Sequence, residues 1–298
     1  MRLVAFIVAL AVLPLAAPQV VVVQATDILI FALLALSLNL LVGYAGMLSL
    51  GHAAFFAIGG YGAGLLVKHL GWPAPLAFAS APLLAAAAAA VIGFFCVRLS
   101  QAYFIMLSLA FGQLVFTVIW KWRSATGGDD GLTGVMPPAV LAGTSSYYYF
   151  VLVVVAACTF ALYRIGQSPF GRALLGVKDN PRRAAFVGID VRRTQLAAFV
   201  VAGAFAGVAG ALQLFFHRGM FPGAAHWLTS ADAFVAVCLG GAASFAGPIV
   251  GTVLFKLVAL VVPRFTEYWL FFLGIVILLV ALVRPEGLMS LVRRQIAR

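Results

Sequence analysis

The residues of this chain best able to bind a metal or carry nucleophilic chemistry are four histidines and three cysteines, and their spacing supports neither role. His52, His69, His217 and His226 are scattered without an HExxH pattern, and Cys96, Cys158 and Cys238 lie singly inside apolar runs. The cysteines read as packing residues. Of the acidic residues, Asp27, Asp129, Asp130, Asp179, Asp190, Asp232, Glu267 and Glu286, none is expected in the middle of an apolar span. A proton-coupled carrier usually keeps a carboxylate there. Lys256 is the one charge placed well inside an apolar run, where it either snorkels or acts. Gly171, Gly176 and Lys178 are spaced superficially like a phosphate loop, but no Ser or Thr follows the lysine and no strand precedes the glycines. The expectation is a chain with no catalytic residue, no metal ligand and no cofactor or nucleotide of its own.

Two other stretches carry chemistry of a different kind. Residues 40–64 read LLVGYAGMLSLGHAAFFAIGGYGAG, with glycine at 43, 46, 51, 59, 60, 62 and 64. Glycines let helices approach closely, which suits Gly60 and Gly64. They also permit non-helical backbone at membrane depth, tolerated only where it is enclosed by protein or lines a wet cavity. Asn39, Tyr44, Ser49 and His52 place polar groups beside the first three glycines. Asn39, Gly43, Tyr44, Gly46, Ser49, Gly51 and His52 are therefore candidates for a translocation pathway or gate, against a pure packing role.

The second stretch, residues 164–193, reads RIGQSPFGRALLGVKDNPRRAAFVGIDVRR and holds seven basic residues. Ser168-Pro169 is a helix start, Asn180-Pro181 stops that helix, and a second short helix over 182–187 ends at Gly188. Phe170, Ala173, Leu174 and Val177 fall on one face. Such a pair of helices lies on an anionic leaflet or inserts into a groove on a cytoplasmic partner.

These stretches are embedded in a very apolar chain. Of 298 residues, 64% are hydrophobic and 9% charged, and the mean hydropathy is +1.13. Soluble domains are nearer half apolar and a quarter charged. A soluble enzyme, a disordered chain and a nucleic-acid-binding domain are excluded, although the net charge of +11 taken alone suggests the last. Runs of about 20 apolar residues are membrane spans. They are expected at 3–23, 28–42, 53–67, 76–97, 102–120, 147–163, 196–216 and 268–283, with 231–262 forming a tight hairpin of two short helices or a re-entrant loop around Gly240–Gly241 and Gly247–Pro248. The first could also be a signal peptide, but Leu15 and Pro18 suit cleavage after Ala17 poorly. The fold expected is an all-α polytopic membrane bundle of about ten spans, a single permease domain over 1–298 with the 164–193 loop inside it. Broken or re-entrant segments are expected near 43–51 and 240–248. Putting both termini inside leaves thirteen basic residues on the cytoplasmic side and five outside, which fixes the orientation.

Taken together and in order, residues 36–64, 126–134 (TGGDDGLTG), 168–193 and 236–252 (AVCLGGAASFAGPIVGT) resemble the LivM-type permease of branched-chain amino acid ABC importers. The resemblance implies an inner-membrane subunit that pairs with a second, related permease. It further implies two cytoplasmic ATPase subunits that hydrolyse ATP, and a periplasmic binding protein that delivers a branched-chain or related amino acid. It implies coupling helices at 168–187, with Phe170, Gly171, Arg172, Lys178, Asn180 and Arg182 as candidate ATPase contacts. An ion-coupled secondary transporter is the main alternative. A membrane-embedded enzyme fits less well, because there is no clustered His, Asp or Cys at catalytic spacing, and an assembly subunit without transport of its own is a further, lesser alternative.

Overall fold

The computed structural model describes residues 13–14, 17–283 and 287–289. Eleven helices carry the fold: α1 (Gln19–Asn39), α2 (His52–Leu70), α3 (Ala74–Cys96), α4 (Gln101–Lys121), α5 (Thr144–Gln167), α6 (Pro169–Asp179), α7 (Pro181–Phe186), α8 (Val191–His217), α9 (Trp227–Gly240), α10 (Gly247–Val261) and α11 (Trp269–Val283). Among the described residues, seven segments are long and apolar enough to cross a membrane, and two shorter apolar helices, in α9 and α11, accompany them. The chain is all-helical as expected, but this does not establish ten spans.

The difference is clearest at the amino-terminal end. The sequence divides residues 3–42 into two spans at the polar stretch 24–27. The structure instead runs α1 unbroken through that stretch and on into a π-helical turn, Leu40–Ala45, as one segment of 27 residues. Most of the expected 3–23 span lies outside the described residues. Two polar side chains that suggested a break are satisfied inside the helix bundle. Thr26 donates to Val22 O at 2.7 Å, and Asp27 accepts from Lys256 Nζ of α10 at 2.7 Å. Asp27 thus lies inside the apolar segment, about 12 Å from its start at the helical rise, rather than between two spans.

The core is built from small residues. α8 runs through the centre and packs on α2 and α3. A Cβ at Gly203 would press on Ala89, one at Gly207 would overlap Ala85, and one at Gly210 would overlap the carbonyl of Phe56. Ala77, Ala81, Ala85 and Ala89 of α3 recur every four residues and are fully buried. Lipid tails are as apolar as leucine, so spans associate through such close packing rather than through hydrophobic burial alone. Of the six-alanine run at 85–90, only Ala85 and Ala89 belong to this packing face, and Ala87 is exposed. Large apolar residues such as Leu83, Met106, Phe160 and Leu278 project outward from the bundle.

At one end of the bundle, a two-residue strand, β1 (Leu132–Thr133), pairs antiparallel with β2 (Gly219–Met220), in register Leu132 to Met220 and Thr133 to Gly219. This ties the TGGDDGLTG stretch to the segment after α8. Lys68 donates to Thr133 O at 3.2 Å and holds the same cap. α6 and α7 lie at the opposite end.

Candidate functional site

The break begins where α1 widens into the π turn. Gly46 follows in the left-handed region at φ +68, so a side chain there is strained. Met47 N then donates back to Leu41 O at 2.9 Å. Residues 46–51 are non-helical until α2 starts at His52. His52 Nε2 lies 2.8 Å from Ser37 Oγ. Ser37 sits eight residues before Ala45, or about 12 Å back along the helix. The irregular segment therefore climbs from the end of α1 into the bundle rather than turning at its surface. This is the non-helical backbone at depth that the glycine spacing predicts.

Two glycines are needed for contact. A Cβ at Gly43 would overlap Ala242 O and press on Asn39 Oδ1, and one at Gly51 would overlap Ser108 O of α4. Ala242 belongs to the turn between α9 and α10, so the two breaks read separately from the sequence meet. The hairpin itself forms as expected, with irregular backbone at 241–246 and two short helices pressed together where a Cβ on Gly240 would overlap Gly247 O. A further link comes from α9, where Ser230 Oγ accepts from Ala53 N at 2.8 Å and satisfies the first turn of α2 from another helix.

Polar groups collect at the break. Ser37 donates to Leu34 O at 2.7 Å, which leaves His52 Nε2 as the donor toward Ser37 and Nδ1 as an acceptor. His52 Nδ1, Asn39 Oδ1 and Ser49 Oγ are buried without a protein partner. Each such atom costs about 1–3 kcal/mol if left dry.

The loop forms as its caps dictate. Ser168 Oγ accepts from Gly171 N at 3.3 Å, Asn180 Oδ1 from Arg183 N at 3.0 Å, and Asp190 Oδ1 from Arg193 N at 3.0 Å. Leu174 and Val177 are buried, and Phe170 is half-buried against the main core. Gly171 is buried, since a Cβ there would overlap Gly166 O. Gly171 and Asn180 therefore shape the loop. Arg172, whose guanidinium donates to Gln167 O at 3.2 Å, and Arg182 are exposed. Phe186 and Val187, which the sequence reading passed over, are 91% and 77% exposed beside them. An aromatic residue just before Gly188, within a run of arginines, is the signal that marked them.

The loop and the break are joined. Lys178 Nζ donates to Gly43 O at 2.8 Å, and its Cγ lies 2.9 Å from where a Cβ on Gly46 would stand. Tyr44 packs on Gly166 at the end of α5, where an added Cβ would lie 2.8 Å from the phenol oxygen. Gln101 Nε2 donates to Gly46 O at 3.2 Å. A cavity of about 480 Å³ lies beside Gly46, between Lys178 and the start of α4. Lys178 is thus a contact within the chain, linking a surface helix to the π turn at Gly43 and to Gly46 just after it.

This architecture has relatives. Residues 3–281 match the family model described as branched-chain amino acid transport system / permease component. The high-affinity branched-chain amino acid transport system permease protein LivM of Escherichia coli (strain K12) is 30% identical over 322 residues, covering 98% of this chain and 76% of the relative. The protein of the same name from Salmonella typhimurium is 29% identical over the same coverage. A probable branched-chain amino acid transport permease protein LivH of Methanocaldococcus jannaschii is 36% identical over 85 residues, 28% of this chain and 26% of that protein. No solved structure gives a significant match. With nearly its whole length matched, the chain belongs to the branched-chain amino acid transport permease family.

Proposed function

We propose that this chain is the LivM-like membrane subunit of an ATP-binding-cassette importer that carries branched-chain or related amino acids across a bacterial inner membrane. It pairs with a second, related permease. Two cytoplasmic ATPase subunits grip residues 168–187, and a periplasmic binding protein delivers the amino acid at the β1–β2 end. ATP is hydrolysed by those partners, and this chain binds no cofactor. The polypeptide crosses the bilayer about ten times, as the sequence leads one to expect, with both hairpin helices and α11 among the crossings and both termini cytoplasmic. The charge asymmetry supports this orientation.

The observation that carries the reading is the Lys178–Gly43 bond. When the ATPases close on ATP, α6 and α7 move with them. The stem of Lys178 lies over Gly46 and its ammonium bonds Gly43 O, so the motion reaches the backbone of the break directly. Tyr44 and the Ala242 turn move against Gly166 and Gly43, where no side chain stands in the way. The buried polar atoms of Asn39, Ser49 and His52 gain partners or water as the segment shifts, which makes this stretch suited to two arrangements. No chemical step is needed, in keeping with a conduit driven from outside itself.

The test is co-expression with the neighbouring ATPase, sister permease and binding-protein genes. The complex should survive mild detergent, and in proteoliposomes the leucine-loaded binding protein should stimulate ATP hydrolysis and leucine uptake. Recovery of the chain alone, with amino acid transport driven by an ion gradient, would instead establish the secondary-carrier reading, for which Asp27 of α1 and Asp232 of α9 are acids within helices counted as spans.

A further inference from the structure

Well away from the break, a cavity of about 410 Å³ opens between α1, α8, α10 and the segment after β2. Its volume is at the small end of the range for ligand pockets, ~300–1,000 Å³. The Asp27–Lys256 pair forms part of its wall. The carboxylate and ammonium are 2.7 Å apart, with side chains 30% and 25% exposed. Lys256 Nζ also stands 4.5 Å from the centre of the Phe31 ring. Asp232 lines the same cavity and makes no ion pair among the described residues. Gln213 and Thr229 add neutral polar groups, while Ile30, Phe56 and Met220 supply an apolar wall.

The Asp27–Lys256 pair faces this cavity, beside a second carboxylate and an apolar surface. We infer that this cavity is a binding site for a zwitterionic α-amino acid with an apolar side chain, in which the ammonium takes Asp27 as partner, the carboxylate takes Lys256, and the side chain lies against Ile30, Phe56 and Met220. The inference rests on the importer reading and assigns its substrate a place in this chain. Exchange is the physical logic. The empty site keeps Asp27 and Lys256 paired with each other, and the ligand re-pairs both, so neither of these two is left bare at membrane depth. A solute with only one charged end leaves one of them unpaired and is rejected. Asp232 gives the ammonium a second carboxylate.

The reconstituted complex with leucine as the probe decides this. Asp27→Leu/Lys256→Met replaces the pair with apolar side chains of similar length, a change that a merely structural pair tolerates. We expect leucine uptake to fall at least about 30-fold, with stimulation of ATP hydrolysis by the leucine-loaded binding protein retained. Gly223→Trp tests the same cavity without touching the pair. Gly223 lines it, and no atom lies within 4 Å of where its Cβ would stand. The indole should plug the space, with the same loss of uptake and the same retained stimulation. If the double variant fails to assemble, Gly223→Trp decides alone. Near-normal uptake in either assembled variant, or loss of stimulation together with uptake in Gly223→Trp, overturns the assignment. A wild-type complex that hydrolyses ATP and moves no amino acid overturns the importer reading instead.

Discussion

Lys178→Met separates transmission from docking. The thioether keeps the aliphatic contact over Gly46 and removes only the ammonium that donates to Gly43 O at 2.8 Å. A hydrogen bond from a charged donor is worth about 1.5–3 kcal/mol. Lys178 is only part-buried in this contact, so solvent competes and about 1–2 kcal/mol is the reasonable share. That energy biases the link between α6 and the break, which amounts to about 5–30-fold in the coupling of hydrolysis to movement. The assay is the number of ATP molecules hydrolysed per leucine taken up by proteoliposomes carrying the full complex. Lys178→Met should assemble normally and hydrolyse ATP within about 2-fold of wild type, while the ratio rises about 5–30-fold. Lys178→Arg, which keeps a charged donor, should recover most of the loss. An unchanged ratio in Lys178→Met would refute the reasoning. So would loss of the ATPases from the complex, since Lys178 would then be a docking contact.

Other outcomes follow from the same geometry. Gly171→Ala should destabilise the α5–α6 junction by about 1–3 kcal/mol, because its methyl meets Gly166 O; Gly176→Ala, five residues on with open space around it, should leave stability unchanged or slightly raised. Thermal melting of the detergent-solubilised complex compares the two. Arg172→Glu and Phe186→Glu should each leave membrane insertion intact and abolish ATPase retention in a pull-down, since both side chains stand clear of the fold. Gly43→Ala should block uptake while ATPase retention survives, because the added methyl separates the break from the Ala242 turn; normal transport would return that glycine to ordinary packing. Ser37→Ala should cost about 1–3 kcal/mol by leaving the buried His52 Nε2 without a partner, read again as a fall in melting temperature.

What the sequence made legible was local chemistry. The starts of α6 and α7 were readable because each cap and its proline are adjacent in the chain: Ser168 before Pro169, Asn180 before Pro181. The depth of the 46–51 break was readable because glycines there stand beside Asn39, Ser49 and His52. The continuity of α1 was not, because Asp27 is made tolerable by a lysine 229 positions away. The same distance effect hid Ser230, which satisfies Ala53 N across 177 positions, and the bond from Lys178 to Gly43 across 135. Periodicity reports which face of a helix is apolar. It does not report which remote side chain answers a polar group, and those answers join the two breaks to each other and to the loop.

The central claim is that the arginine-rich loop faces the cytoplasm and is held there by an ATPase. In a variant with Cys96, Cys158 and Cys238 replaced by serine or alanine, a single cysteine at Phe186 reports it directly. A membrane-impermeant maleimide should label that cysteine in inverted vesicles stripped of the ATPases, fail to do so once the ATPases are restored, and never label it in intact spheroplasts. Labelling from the outer face of intact spheroplasts would contradict the account.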